Sequence, residues 1–309
     1  MIVPCYNAET TLQRAVNSVV AQTYRDFAIY AVDDGSTDRT PALLSAFTDR
    51  LSFVRQKHRG PAAARNRAIL MSDSRFIAFL DADDEWLPLK LERQISLLKR
   101  DPSLGLVASF CAIKSCATGQ TSTFAPADIP FSGNLFRQLA RRCFVFTPTI
   151  VVRRHCLEEV GMFNESLAVS EDFNLWLRIA ARWKIALFPE VLAIVHKRQD
   201  SLSGTVASDD RLRNGVAALE HVRSSYSKLS FADTSALHKA IAERMYFHGS
   251  FLLSSGAKSA ARRRLASVLR YQPTHWKALA KLALSLLPVR NLSHLTELGR
   301  RNTATERAE

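Results

Sequence analysis

The sequence predicts an α/β domain built on a mostly parallel, twisted sheet flanked by helices, followed by a helical C-terminal appendage. Three observations carry this. Short apolar runs alternate with helical patterns through the first hundred residues, polar clusters fall where those runs end, and the chain turns helical and basic after Ser203. Strand–helix–strand repeats of this spacing imply right-handed crossovers. These put helices on both faces and ligands beyond the carboxyl ends of the strands.

The strands are expected at "MIVP", "FAIYAVDD", "LSFVRQ" and "RFIAFLDAD", and the helices between them at "AETTLQRAVNSVVAQ", "TPALLSAFTD" and "GPAAARNRAILMS". The polar clusters "CYNAE", "DDGSTD" and "DADD" then share one sheet edge, which makes a site. Residues 101–205 are less regular. Strands are expected near "LGLVASF", "TPTIVVRR" and "KIALFPEVLAIVHK", with the amphipathic helix "SEDFNLWLRIAARW" before the last. Ser170 sits at its N-cap, and Glu171 and Asp172 fall in the first turn, where carboxylates suit the helix dipole. The division expected is 1–100 as a nucleotide-binding half, 101–205 as the second half of the same domain, and 206–309 as a basic helical region. Its helices are expected over 210–227, 233–254, 257–271 and 275–287.

A chain of 309 residues, 47% hydrophobic, is sized for one main domain plus an appendage. The net charge of +13 calls for an anionic partner (a nucleotide, nucleic acid or an acidic membrane), although a solvated basic surface explains it equally. Basic residues interleaved with stacking aromatics are not evident, so no nucleic acid is expected. Five cysteines without a C-x-x-C pair, and no secretory leader, fit a reducing cytoplasm. The most apolar stretch, "WKALAKLALSLLPV", is short and broken by Lys277 and Lys281, so no membrane span is expected.

"RFIAFLDADDEWLP" ends an apolar run in three carboxylates, Asp81, Asp83 and Asp84. Alternation along a strand sends Asp81 and Asp83 in different directions, so one can meet a hard cation and the other a sugar hydroxyl. A plain capped turn, with Asp83 or Asp84 capping a helix from near Trp86, is the alternative. In "VDDGSTD", Gly35 permits a tight turn and Ser36, Thr37 and Asp38 offer a cap. That leaves Asp33 to accept a hydrogen bond from a base imide or ribose hydroxyl. "GPAAARNRA" offers Arg65 for charge-assisted bonds to a diphosphate, whereas Arg67 reads as a solvated face.

Taken in order, "IVPCYNAETTLQRAVNSVVAQTY", "VDDGSTDRT", "GPAAARNRAI", "FLDADDEWLPLKLERQ" and "VGMFNESLAVSEDFNLWLRIA" resemble the family 2 glycosyltransferases of the GT-A fold, over about the first 205 residues. The resemblance implies transfer of a sugar from a nucleotide diphosphate donor, expected to be a UDP-sugar, to a hydroxyl with inversion, in cell-surface polysaccharide or lipid-linked glycan assembly. It implies nucleotide contacts from Pro4, Tyr6, Glu9, Asp33, Arg65 and Asp81, a divalent cation (Mn²⁺ or Mg²⁺) on Asp83, and Asp172 as base with Glu171 beside it. The acceptor class implied is a saccharide or a lipid-linked glycan.

Two departures accompany the resemblance. The family carries several residues before its "PCYN" equivalent, and three strand residues span only about 10 Å, so a start displaced upstream is expected. Near "VHKRQDSLSG", where relatives place a diphosphate-assisting histidine, Gln199 stands nearest the slot and His196 is displaced. A nucleotide-sugar binder or scaffold without turnover is therefore the competing reading. The expected location is the cytoplasm, with peripheral contact to the inner face of the membrane through Arg262, Arg263, Arg264, Arg270, Lys277 and Lys281. A helical bundle with a solvated basic face explains these residues equally.

Overall fold

The computed structural model describes residues 1–198, 207–226 and 229–286; Gln199 and the ends of two expected helices lie outside them. Two compact units emerge, Met1–Ala207 with Ala217–Leu237, and Ser208–Val216 with the chain from His238 onward.

The first unit opens with β1 (Ile2–Cys5), α1 (Leu12–Val20), β2 (Tyr30–Asp33), α2 (Thr40–Ala46), β3 (Ser52–Arg55), α3 (Pro61–Leu70) and β4 (Phe76–Ala78). β1, β2 and β3 pair in parallel, Ile2 opposite Tyr30 and Asp33 opposite Arg55. β4 lies on the other side of β1, because Ile2 pairs in parallel with Phe79 and the Leu80 amide donates to the Ile2 carbonyl at 3.0 Å. The chain therefore reverses direction across the sheet between β1 and β4, the crevice where open α/β sheets bind ligands. β1 is only four residues long, yet every register position is paired.

Beyond β4 come β5 (Glu85–Trp86), α4 (Lys90–Arg100), β6 (Leu104–Ser115), β7 (Thr121–Phe124), β8 (Ser132–Gly133), α5 (Phe136–Arg141), a 3₁₀ turn at Thr147–Thr149, β9 (Val151–Arg153), α6 (Arg154–Val160), α7 (Glu171–Ala180) and β10 (Lys184–Lys197). β9 runs antiparallel to both β4 and β6, β10 runs parallel to β6, and β5 closes antiparallel on β10. The sheet is thus mixed, parallel through β1–β3 and between β6 and β10 and antiparallel at β9 and β5. No helix starts near Trp86. Residues 85–86 form a strand and α4 begins at Lys90, after Pro88, with Leu89 at its cap, so neither Asp83 nor Asp84 is a helix cap.

α7 departs from the amphipathic expectation. Nine of its ten residues are buried, Asp172 alone excepted. One side rests on an aromatic triad in which Phe79, Phe163 and Trp176 have ring centroids 5.4–5.7 Å apart. Its polar residues are satisfied internally: Asn174 Nδ2 donates to the Ala218 carbonyl at 2.8 Å, and Arg178 donates to the carbonyls of Val160 and Met162. A buried polar group that keeps its hydrogen bonds costs little, which lets the helix be covered on both sides. Ser170 holds the N-cap position in a left-handed conformation (φ 66°), but its side chain makes no capping bond.

The remaining helices are α8 (Ser208–Ser225), α9 (Phe231–Ser254), α10 (Lys258–Tyr271) and α11 (Trp276–Leu286). In the second unit α9 approaches α10 at Gly249, where a Cβ would stand 2.8 Å from Leu265 Cγ. Leu265, Val268, Ala261 and Ala278 are buried there. Arg262 reaches Ser285, and Lys281 Nζ donates to Ser250 Oγ at 2.7 Å, so two of the six cations expected on a surface hold the helices together instead. Among the described residues no helix is long and apolar enough to cross a membrane.

Candidate active site

The loops after β1 and β2 are stitched to each other. Asn7 adopts φ 47°; its amide donates to Ser36 Oγ at 3.0 Å, and its Oδ1 accepts from the Thr37 amide at 2.9 Å. The Ala8 amide donates to Thr40 Oγ1 at 2.8 Å, and Glu9 Oε2 accepts from the Arg39 amide at 2.9 Å. Glu9 thus satisfies a donor at the start of α2, the role the sequence assigned to the Ser36–Asp38 cap; Asp38 shares it through the Thr40 amide. Pro4 is half-buried in β1, and Tyr6 is 49% exposed with its ring centroid 4.2 Å from that of His58.

Asp33 and Asp34 have separate tasks. Asp33 is fully buried; its Oδ1 accepts from the Ser36 amide at 3.0 Å, and Arg55 Nε lies 2.9 Å from Oδ2. That contact lacks hydrogen-bond geometry, so Oδ2 retains its accepting capacity. Asp34, which carried no role in the sequence, organises the loop before α3. It accepts from Gln56 Nε2 at 2.8 Å and from the amides of Arg59 and Gly60 at 2.9 and 2.8 Å. Gly35 and Gly60 turn this loop with φ of 81° and 89°.

Arg65 is the centre of the site. Buried on α3, it donates from Nη1 to Glu171 Oε1 and from Nη2 to Asp81 Oδ1, both at 2.7 Å, and lies 5.3 Å from the Phe163 ring centroid. Burial alone would lower its pKa, but the carboxylates of Asp81, Glu171 and Asp172 more than reverse this and hold it raised. Burial and the adjacent Asp172 push Glu171 up to about 7, against the pull of Arg65. Asp172 is half-exposed. Its Oδ2 accepts from Thr147 Oγ1 at 3.1 Å and its Oδ1 from the Phe173 amide at 2.6 Å.

On the other flank, Asp83 and Asp84 have raised pKa values, first from burial and then from neighbouring aspartates: Asp81 for Asp83, and both Asp81 and Asp83 for Asp84. Asp84 Oδ1 accepts from the His196 amide at 2.8 Å, and His196 Nε2 meets Glu85 Oε1 at 2.6 Å. His196 is thus tied into the junction of β10 and β5, and Arg14 completes it by donating to the Asp83 carbonyl at 2.7 Å. Among the described residues no trio of His, Cys, Asp or Glu is arranged to hold a metal by itself. Asp83, crowded by like charge and partly buried, suits a cation that takes its other ligands from a bound phosphate group.

The structure therefore brings Arg65, Asp81, Glu171 and Asp172 into one cluster, with Asp83 two residues along from Asp81. Pro4, Tyr6, Glu9 and Asp33 lie on the loops and strands of the adjoining crevice. Sequence reasoning missed Thr147, Lys90 and Gln94. The last two had a signal, since they are polar residues sharing the buried face of α4 with Leu91, Ile95 and Leu98.

A family model described as "Glycosyl transferase family 2" matches residues 1–161. Succinoglycan biosynthesis protein ExoU of Rhizobium meliloti is 35% identical over 228 residues, covering 69% of this chain and 66% of that protein. An Escherichia coli enzyme named UDP-Glc:alpha-D-GlcNAc-diphosphoundecaprenol beta-1,3-glucosyltransferase WfgD is 33% identical, covering 58% of this chain and 68% of its own length. An uncharacterized glycosyltransferase of Rickettsia felis is 33% identical, but the chain spans only 30% of its length. Among solved structures, Staphylococcus aureus TarS 1–349 in complex with UDP-GlcNAc superposes with a TM-score of 0.66 at 18% identity, covering 87% of this chain and 80% of that one. Likewise, the Pyrobaculum calidifontis mannosyltransferase PcManGT with GDP-Man and Mn²⁺ gives 0.57 at 19% identity, over 93% and 87%. The fold is of the GT-A type, and with its family model matching residues 1–161 and the ordered motifs in place, the chain belongs to glycosyl transferase family 2.

Proposed function

We propose that this chain transfers a sugar, with inversion, from a nucleoside diphosphate donor to a hydroxyl of a saccharide or lipid-linked acceptor in surface-glycan assembly. The observation that carries the reading is the Arg65 bridge, which joins the donor-side carboxylate Asp81 to the Glu171–Asp172 pair at the carboxyl ends of β1 and β4. The donor is a UDP-sugar: the WfgD relative is named for UDP-Glc, and the TarS neighbour binds UDP-GlcNAc. Asp33, Pro4, Tyr6 and Glu9 line the nucleotide side, and Asp81 faces the ribose or shares the cation.

Asp83 would hold a divalent cation, as the Mn²⁺ of PcManGT supports; when bound, it stabilises the negative charge of the departing diphosphate. Arg65 adds positive charge on the same side. Inversion in one displacement needs one base on the opposite face of the sugar. Asp172 has the exposure for it, and the Thr147 hydroxyl orients its Oδ2. Glu171, spent on Arg65, positions that helix end.

Peripheral membrane contact through the second unit forms part of the reading. α11 is inverted: its buried face carries Ala278 and Ser285, while Trp276, Leu279 and Leu286 are exposed beside Lys277. Exposed apolar residues flanked by cations suit an anionic lipid surface. Incubating the purified chain with UDP-glucose, UDP-GlcNAc or GDP-mannose and Mn²⁺, and following diphosphate release and transfer by mass spectrometry, tests the central reading. Donor binding without turnover on any acceptor would make the chain a nucleotide-sugar binder instead.

A further inference from the structure

Lys90 is fully buried on α4, and among the described residues no carboxylate meets it; burial pulls its pKa well down. Its Nζ donates to Gln94 Oε1 at 2.7 Å and to the Ile150 carbonyl at 3.3 Å, over the face of Trp86 at 4.3 Å from the ring centroid. Gln94 Nε2 donates to the Thr149 carbonyl at 2.8 Å and to the Val107 carbonyl at 3.1 Å. Trp86 Nε1 donates to the Pro148 carbonyl at 2.8 Å. Three successive carbonyls, those of Pro148, Thr149 and Ile150, are therefore each gripped by a side chain from the segment that directly follows Asp83 and Asp84. The residue before them is Thr147, buried, whose hydroxyl donates to Asp172 Oδ2 at 3.1 Å.

So costly an arrangement is not needed to pack a helix, since apolar residues would fill the same space without desolvating an amine. From it we infer that Trp86, Lys90 and Gln94 form a clamp that sets the base against the donor carboxylates, and that Thr147 is the positioning residue through which it acts on Asp172. The inference deepens the proposed function and rests on Asp172 being the base. Through the clamp, the Asp81–Asp84 segment and the base share one rigid frame although 88 residues separate Asp84 from Asp172 in sequence, so that a hydroxyl proton meets Oδ2 at a fixed place relative to the donor.

The test uses the full chain, diphosphate release from UDP-glucose, UDP-GlcNAc and GDP-mannose, and isothermal titration with UDP and Mn²⁺. Thr147→Val keeps the side chain's volume and removes its donor. The expected result is a kcat lower by about tenfold to a hundredfold, the scale of a lost bond to a charged group, with donor KM and UDP affinity held within about twofold, and recovery of most of the rate in Thr147→Ser. Lys90→Met should lower kcat in the same direction while the melting temperature changes little, because the desolvated amine is removed but the Gln94 and Ile150 oxygens lose their donor; a merely structural lysine would lower stability and leave kcat alone. Wild-type kcat in Thr147→Val together with an inactive Asp172→Asn overturns the clamp and leaves the base in place. An active Asp172→Asn, or a wild-type chain that turns over none of the three donors, removes the base assignment and the clamp with it.

Discussion

Arg65 and Glu171, 106 residues apart in sequence, meet at 2.7 Å with both side chains almost wholly excluded from solvent. The pair joins α3 to the start of α7, and because the same guanidinium also holds Asp81, one cation ties the segment after β4 to the start of α7. Removing it leaves two carboxylates at close quarters without their counter-charge. Arg65→Met should therefore cost about 3–5 kcal/mol of stability, the range for orphaning a buried ionic partner, read from the urea midpoint at constant m-value. A loss under about 1 kcal/mol would show that solvent compensates the carboxylates.

Glu171 gives that stability a pH dependence whose sign is fixed. Its carboxyl is raised from an ordinary 4.5 to about 7, first by burial and then by Asp172. Between those values the folded chain keeps a proton that the unfolded chain has lost, so unfolding releases it and stability falls as pH rises. Glu171→Gln cannot titrate. The stability advantage of wild type over this variant should shrink from about pH 5 to about pH 8, measured by denaturant titration at each pH. A constant or growing advantage would mean that Arg65 holds Glu171 ionised throughout.

Asp83 and Asp172 should separate binding from chemistry. Asp83→Ala is expected to weaken Mn²⁺-dependent UDP binding together with turnover, and Asp81→Ala to do the same less severely. Asp172→Asn keeps its size and loses its proton affinity, so UDP binding should survive while turnover falls by roughly 10²–10⁴-fold. Titration calorimetry beside a transfer assay reads both, and equal loss of UDP binding in the Asp83 and Asp172 variants would refute the division.

Gly35 turns the chain out of β2 with φ 81°, and a Cβ there would stand 2.9 Å from the His58 backbone nitrogen. The clash is with backbone and the conformation is one that L side chains rarely adopt. Gly35→Ala should destabilise by about 1–3 kcal/mol and weaken UDP binding, because Asp33, Asp34 and the His58 loop shift together. An unchanged melting temperature would show that the turn relaxes.

The exposed apolar face of α11 should make lipid binding depend on both lipid charge and side chain. Co-sedimentation with phosphatidylglycerol-containing liposomes should exceed that with neutral ones, fade with salt as charges are screened, and fall further in Trp276→Ser. Binding indifferent to lipid charge would count against the membrane reading.

Much of this protein was legible from its residues in order. The parallel β1–β4 frame and the carboxylates left at its strand ends, Asp33, Asp81 and Asp83, follow from alternation and turn chemistry, which act over a few neighbouring residues, whereas Asp172 was singled out only by the family resemblance. The strand β9 was expected within "TPTIVVRR", but its antiparallel pairing was not legible, and neither were the two-residue strands β5 and β8, because so few residues carry no periodicity and exist only through partners elsewhere in the sheet. Glu9 fills a cap on another helix's start, Arg65 is spent on two carboxylates, and α7 is buried all round, each because a distant segment packs against it. Lys90 and Gln94 share the apolar face of α4, but their partners could not be read until the 147–150 segment supplied carbonyls for them to hold. Local order therefore determined which groups carry charge and where strands end. Only the tertiary structure decided which charges face one another, since a hydrogen bond or ion pair depends on a few ångströms of separation that sequence distance does not encode.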